Sequence, residues 1–174
     1  GRPFEELASG ATPSLSNLLT RTDYDLAGRQ TRSWLPVVTT SSFLSASAFS
    51  AAAASTYGAS ESRPYTEQIY EASSLDRVPY AYGPGDAWYD VSGGVHPLST
   101  EWLGNTASGA TSCKYYHVSG SSLAGGTANY AAGTLSVVRT TDEDGAVSYT
   151  FTDKLGRTVM TRQVNEGDYS DTYY

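Results

Sequence analysis

The feature that most constrains this chain is a six-residue motif that occurs twice. Residues 24–29 read YDLAGR and residues 152–157 read TDKLGR, so the spacing Asp-x-x-Gly-Arg is kept in both. A motif that recurs along one chain indicates a repeated structural unit. The shared positions are Asp25, Gly28 and Arg29 in the first copy and Asp153, Gly156 and Arg157 in the second, with Tyr24 as the aromatic residue that opens the first copy.

The spacing predicts a tight turn between two β-strands. Glycine supplies the positive φ that a short hairpin turn needs, and an aspartate three residues earlier can accept hydrogen bonds from the turn amides. The arginine follows on the return strand, from which its guanidinium can reach the carboxylate or an aromatic ring. A catalytic Asp–Arg pair is the alternative, but recurrence along the chain favours a structural lock.

Three other segments resemble parts of the motif. Residues 70–78 read YEASSLDRV, a longer copy in which Asp76 stands at the glycine position. Residues 1–4 read GRPF, like the end of a copy, and Tyr173-Tyr174 resemble the start of another. We therefore expect the sequence to be a piece cut from a longer repeat chain.

Most of the chain reads as β-strand. Val147, Tyr149 and Phe151 alternate with polar residues, the pattern of a half-buried strand, and residues 135–174 predict a four-stranded meander. Its strands are placed at 135–139, 147–152, 158–164 and 169–174, and further strands at 4–7, 20–24, 30–35, 66–70, 78–82, 98–103 and 113–118.

One helix and two loops interrupt the strands. The alanine-rich stretch 43–57 predicts a short helix, with Ser41 or Ser42 as N-cap and Gly58 just past the end. Stretches rich in Gly and Ser predict loops at 83–86 and 92–94, on either side of Trp88-Tyr89, and at 119–133. The expected fold is all-β, built from antiparallel hairpins in a single domain over 1–174, with a division into 1–60 and 61–174 as the alternative.

Composition limits both the core and the functions available. Leu, Ile, Val and Phe make up only 29 of 174 residues, so the 14 Tyr and 3 Trp predict an aromatic core. A net charge of −7 opposes nucleic-acid binding. The longest uncharged stretch, 33–60, is too polar to span a membrane. Cys113, the one cysteine, predicts neither an internal disulfide nor a zinc site.

Candidate catalytic and metal-binding groups are few. His96 and His117 are the only histidines, and no G-x-S-x-G motif singles out a nucleophile for either. The acids at 142–144 lack the twelve-position calcium pattern, so a turn is favoured there. We predict a non-enzymatic protein without cofactor or metal, and keep a hydrolase that uses His96 or His117 as an alternative.

The Tyr-Asp and Gly-Arg pattern resembles the YD repeat of the Rhs family of bacterial secreted or surface proteins. The order of segments is similar to a domain of unknown function near the N-terminus of Rhs-type proteins of gut bacteria. Its matching segments read PYTE at 64–67, YE at 70–71, LDRV at 75–78, GPG at 83–85 with Trp88, His96 with EW at 101–102, and TDEDG at 141–145.

The resemblance implies a role in architecture. In larger relatives, hairpins of this kind wind into a hollow shell that can enclose a C-terminal effector, and the self-cleaving aspartates of such shells have no match here. The implied partners are other repeat segments of the same polypeptide and that effector. The implied location is secreted or on the cell surface, and we expect the export signal to lie outside the given sequence. Open sheet edges also predict a homodimer of the excised piece.

The sequence also allows a second class of function. Aromatic residues crowd the middle of the chain, and rings on a sheet or in loops can stack on sugar faces. A carbohydrate-binding module is therefore the alternative to a scaffold segment. Its candidate ligand-binding residues are Trp88, Tyr89, Trp102 and Tyr115, within a cluster that runs from Tyr80 to Tyr116.

Overall fold

A computed structural model describes residues 2–89 and 96–174. It is mostly antiparallel β-sheet, with 45% of the chain in strands and 7% in one short helix, which confirms the predicted fold class. The chain divides into two compact units, Gly1–Pro97 and Leu98–Tyr174. The loop predicted at 92–94 lies outside the described residues, and no helix within them is long and apolar enough to cross a bilayer.

Among the described residues, the first unit contains six strands and the helix. The strands are β1 (Glu5–Ala8), β2 (Asn17–Tyr24), β3 (Gln30–Trp34), β4 (Val37–Thr39), β5 (Tyr65–Ile69) and β6 (Tyr80–Tyr82). In their sheet β1 pairs with β2, β2 with β3, β3 with β5 and β5 with β6, all antiparallel, and β4 adds to the start of β2. The sequence did not predict β4, which has only three residues.

Helix α1 spans Ala46–Tyr57 and begins three residues later than predicted. Its N-cap is Ser45, whose hydroxyl accepts a hydrogen bond from the Ala48 N–H at 3.3 Å, so the prediction of Ser41 or Ser42 was wrong. Several serines precede the helix, and sequence alone does not say which one caps it. The C-terminal prediction is confirmed, since the Gly58 N–H bonds to the Ala54 carbonyl at 3.0 Å.

The second unit holds a five-stranded antiparallel sheet and a separate hairpin. The strands are β7 (Leu98–Gly104), β8 (Lys114–Ser119), β9 (Ser122–Asn129), β10 (Ser136–Thr141), β11 (Val147–Thr152), β12 (Thr158–Asn165) and β13 (Asp168–Tyr173). The sheet order is β7-β10-β11-β12-β13, so the predicted C-terminal meander is confirmed.

The predicted loop at 119–133 was wrong, because β9 runs through most of it and pairs with β8. Its sequence, SLAGGTAN, carries one large apolar residue and no alternation, so it gives no strand signal. Pairing with the tyrosine-rich β8 makes it a strand. The hairpin is held at its base by Asn105, whose side chain bonds to the backbone of Ala131, Thr134 and Leu135 at 2.8–2.9 Å.

Each unit has its own small core, and neither is mainly aromatic. Phe49 of α1 packs on Leu19 and Val37 in the first unit, and Phe151 packs on Val137 and Met160 in the second. Of the 14 tyrosines, only Tyr65 and Tyr149 are buried among the described residues. The expectation of an aromatic core was therefore wrong in its main point. The other tyrosines are half-buried or exposed, and several lie against arginines.

Candidate functional site

The first copy of the motif forms the turn between β2 and β3. The Asp25 N–H donates to the Arg29 carbonyl, and the Gly28 N–H to the Asp25 carbonyl, both at 2.9 Å. The Asp25 carboxylate then accepts from the backbone N–H and from Nε of Arg29, each at 2.8 Å. Gly28 has φ +78°, the left-handed conformation that the sequence predicts for this position.

The second copy forms the turn between β11 and β12 with the same bonds. The Asp153 N–H donates to the Arg157 carbonyl at 2.9 Å, and the Gly156 N–H to the Asp153 carbonyl at 3.0 Å. The carboxylate accepts from the Arg157 N–H at 3.0 Å and from its Nε at 2.8 Å, and φ of Gly156 is +79°. The two sequence copies are thus two copies of one structure.

The electrostatics of both turns favour ionised carboxylates. The backbone N–H of the arginine, followed by its guanidinium, lowers the pKa of both Asp25 and Asp153 below the ordinary value. Both oxygens of each carboxylate already accept hydrogen bonds from the arginine of their own turn. Such a group is suited to holding a turn in place and poorly suited to moving protons.

The longer copy at 70–78 also forms a turn, beside the first one. The Glu71 N–H donates to the Arg77 carbonyl at 3.0 Å, and Asp76 has φ +51°, a glycine-like conformation. The Arg29 guanidinium lies 4.5 Å from the centre of the Tyr70 ring and 3.4 Å from an Asp76 carboxylate oxygen. The arginine of one turn is thus covered by the aromatic ring and the acid of the next.

The two arginines differ in exposure. The side chain of Arg29, which has this cover, is 26% exposed, whereas that of Arg157 is 72% exposed. Tyr24, the aromatic residue of the first motif, points elsewhere: its hydroxyl donates to the Pro3 carbonyl at 2.8 Å.

A further turn of this type joins β10 to β11. The sequence predicts a turn there but does not mark it as a copy of the Asp-x-x-Gly-Arg motif. The Asp142 N–H donates to the Ala146 carbonyl, the Gly145 N–H to the Asp142 carbonyl, and the Ala146 N–H to the Asp142 carboxylate, at 2.8–3.0 Å. Alanine replaces the arginine, so the charge lock is missing while the backbone bonds remain. The shared Asp-x-x-Gly spacing at 142–145 was the available signal.

The candidate sugar-binding rings of the first unit contact protein groups. Trp88 stacks on His96 with ring centres 5.1 Å apart and remains 40% exposed. The centre of the Tyr89 ring lies 3.5 Å from the guanidinium of Arg63 and 4.9 Å from the ring of Tyr82. Trp88 therefore keeps an accessible surface, whereas the face of the Tyr89 ring is covered by the guanidinium of Arg63.

The two candidates of the second unit lie on different elements. Tyr115, on β8, contacts the rings of Tyr130 and His117 at 5.1 and 5.5 Å and is 44% exposed. Trp102, on β7, is half-buried and pairs in register with Val138 of β10.

Paired charges cross both sheets in rows, a feature that the sequence analysis missed. In the first unit Asp23, Arg32 and Glu67 share a register row over β2, β3 and β5, and Arg32 bonds to Glu67 at 2.8 Å. In the second unit Arg162 is 5% exposed and donates twice to Asp171 at 2.7 Å. Such rows become visible only when the register is known.

The described residues, 2–89 and 96–174, contain no group of three or more His, Cys, Asp or Glu side chains that could hold a metal ion. Cys113 is fully buried, and burial raises the pKa of its thiol to about 11. It behaves as a small apolar residue of the core.

Comparison with known proteins gives one family. Residues 1–100 match the model of a domain of unknown function, DUF6443. The comparison with curated proteins finds no match. Neither does the comparison with solved structures. Because the match covers more than half of the 174 residues, the chain belongs to the DUF6443 family.

Proposed function

We propose that this chain is a non-enzymatic structural segment of a large exported protein of the Rhs/YD-repeat type. In this role it forms part of a β-shell or scaffold, together with other repeat segments of the same polypeptide, around or beside a C-terminal effector. One observation carries the proposal: the Asp-x-x-Gly-Arg motif builds the same hydrogen-bonded turn at 25–29 and at 153–157.

The chemistry of the motif supports an architectural role. Asp25 and Asp153 each accept two hydrogen bonds from the arginine of their own turn, so both oxygens of each carboxylate are engaged inside the turn. A general base needs a pKa near the working pH, and the pKa of these carboxylates is lowered instead. Export and the effector partner rest on the resemblance to Rhs proteins.

Electron microscopy of the secreted polypeptide that carries this segment tests the proposal. We expect the sheets of residues 1–174 to lie within the wall of a larger β-structure, paired with neighbouring repeats. A double variant, Asp25→Asn with Asp153→Asn, should weaken that wall, and Lys154→Ala in the same turn serves as control. A detached domain that hydrolyses an ester, glycoside or peptide, with activity lost in His96→Ala or His117→Ala, would contradict it.

A carbohydrate-binding module is the second candidate, and the exposed ring surface of Trp88 favours it. A glycan array of the wild type, followed by titration of Trp fluorescence, tests it. Sugar binding that is lost in Trp88→Ala and kept in Tyr174→Ala, a change of another exposed ring, would support this candidate. Silence across the array would remove it.

A further inference from the structure

The outer edge of β13 is open in the sheet of the second unit. Within the described residues β13 pairs with β12 only. The Tyr174 N–H donates to the Val159 carbonyl at 3.0 Å, that is, towards β12. Backbone groups alternate in direction along an antiparallel strand, so those of Tyr173 and Asp171 face the open edge. An added strand would find hydrogen-bond partners there.

An apolar groove of about 510 Å³ runs beside this edge, between β13 and the β8–β9 hairpin. Val118 and Leu123 of the hairpin are 75% and 71% exposed. The rings of Tyr116 and Tyr173 meet at 4.8 Å and join the hairpin to the strand. The groove is lined by Tyr116, His117, Val118, Leu123, Tyr173 and Tyr174. A side chain of an added strand, pointing to this face, would enter it.

The charges along the edge restrict what can pair with it. One register row crosses the sheet from Glu101 through Arg139, Tyr149 and Arg162 and ends at β13 on Asp171. Within this row acids contact arginines of adjacent strands, as do Arg139 with Glu101 and Arg162 with Asp171. The row therefore ends on an acid at the open edge, and a second acid, Asp168, lies three residues before Asp171 on the same strand. A basic residue on the next strand would continue the row.

We propose that the β13 edge binds a strand of a neighbouring repeat segment, in antiparallel pairing, with apolar and basic residues alternating on one face. An apolar side chain of this strand enters the groove beside Tyr173, and an Arg or Lys two residues away lies opposite Asp171. Main-chain hydrogen bonds would provide affinity, while the groove and the acid provide specificity. The inference rests on the proposed scaffold function and names the chemistry of one partner.

A second copy of this chain fits the edge poorly. Two β13 strands side by side would place Asp168 and Asp171 of both copies in one small region, and like charges across a strand pair are destabilising. The edge strand β1 is no better, since it reads EELA. We therefore expect acidic edges to oppose the homodimer that open edges alone would predict.

The chain itself provides a probe with the required pattern. Strand β12 places Met160, Arg162 and Val164 opposite Tyr173, Asp171 and Tyr169. A fluorescein-labelled peptide of residues 158–165 therefore carries the apolar–basic–apolar face that the open edge should accept. The matched control peptide contains Glu in place of the arginine. Fluorescence anisotropy with the full chain at low ionic strength measures both, because salt screens the contact with Asp171.

We expect saturable binding of the first peptide and at least tenfold weaker binding of the Glu peptide. Val118→Asp, at an exposed wall of the groove, should weaken binding of the first peptide by a similar factor. Leu155→Asp is the matched control, because Leu155 is 77% exposed in the turn at 153–157, outside the groove lining, and it should bind like the wild type.

Three results would overturn the inference: no saturable binding by the folded wild type, equal binding of the two peptides, or unchanged binding by a folded Val118→Asp variant. A dimer of the free chain that the first peptide does not dissociate would also contradict it. None of these outcomes decides the scaffold function, which the microscopy of the secreted polypeptide tests independently.

Discussion

Replacement of Gly156 by alanine tests the turn on which the proposed function rests. Gly156 has φ +79°, and a Cβ added there would meet no heavy atom of the described chain within 4 Å. The expected cost is therefore conformational only, about 1–2 kcal/mol for an L-residue in the left-handed region. For a chain of this size, each kcal/mol lowers Tm by about 2–4 °C, so we expect a loss of roughly 2–8 °C.

The first turn provides an internal comparison. Gly28 has φ +78°, but a Cβ there would lie 3.0 Å from Nη1 of Arg2, the end of a flexible side chain that can move aside. Gly28→Ala should therefore lower Tm by an amount close to that of Gly156→Ala. Gly156→Asn should cost less than alanine, because Asn adopts the left-handed conformation more readily.

Thermal unfolding followed by circular dichroism measures these differences, with Lys154→Ala as a control that changes an exposed residue of the same turn. A Gly156→Ala variant that melts at the wild-type temperature would contradict this prediction. So would a Gly156→Asn variant that costs as much as Gly156→Ala, because the penalty would then not come from the left-handed conformation.

Three further predictions concern charge and burial. Arg162→Ala should cost about 1–3 kcal/mol in urea unfolding, because it removes the charged hydrogen bonds to Asp171 and the packing of a buried side chain, and Arg162→Met should cost less since it refills the space. The pKa of Asp25 and Asp153 is lower in the folded than in the unfolded chain. Their contribution to stability should be complete above about pH 4 and be lost as the pH falls through the folded pKa. Between pH 5 and pH 2, Tm should therefore fall less in the variant with both Asp25→Asn and Asp153→Asn than in the wild type. Cys113, with a buried thiol of pKa about 11, should react with a thiol reagent at pH 8 only after unfolding in urea.

The strands and the two locked turns could be predicted because their signals are local. Alternation at 147–152 fixes a strand, and an Asp-x-x-Gly-Arg spacing fixes both the φ of its glycine and the partner of its acid. The N-cap of α1 could not be chosen among neighbouring serines, since the choice depends on where Phe49 reaches the core. Strand β9 was missed because its partner β8, rather than its own sequence, makes it a strand.

The composition of the cores could not be predicted, because residue counts do not say what a ring contacts. Tyrosine has a polar end and an electron-rich face, so it can leave the core and cover a guanidinium instead. Tyr70 does this for Arg29, and Tyr169, with its ring centre 4.4 Å from the guanidinium, does it for Arg162. Counting tyrosines as core residues therefore overestimated the aromatic core.

This use of arginine and tyrosine explains how so few aliphatic residues can support two sheets. Most arginines contact an acid or a ring of their own unit, and the long side chains bury apolar stems while their guanidinium groups join adjacent strands. Such contacts are distributed across the sheet and do not require a thick core, which suits a segment stabilised by repetition. Arginines with a ring or ion-pair contact include Arg2, Arg21, Arg29, Arg32, Arg63, Arg139, Arg157 and Arg162. The chain has 18 acidic side chains against 11 Lys and Arg, so acids remain in excess after these arginines are paired, and that excess makes a basic strand the natural partner of an open edge such as β13.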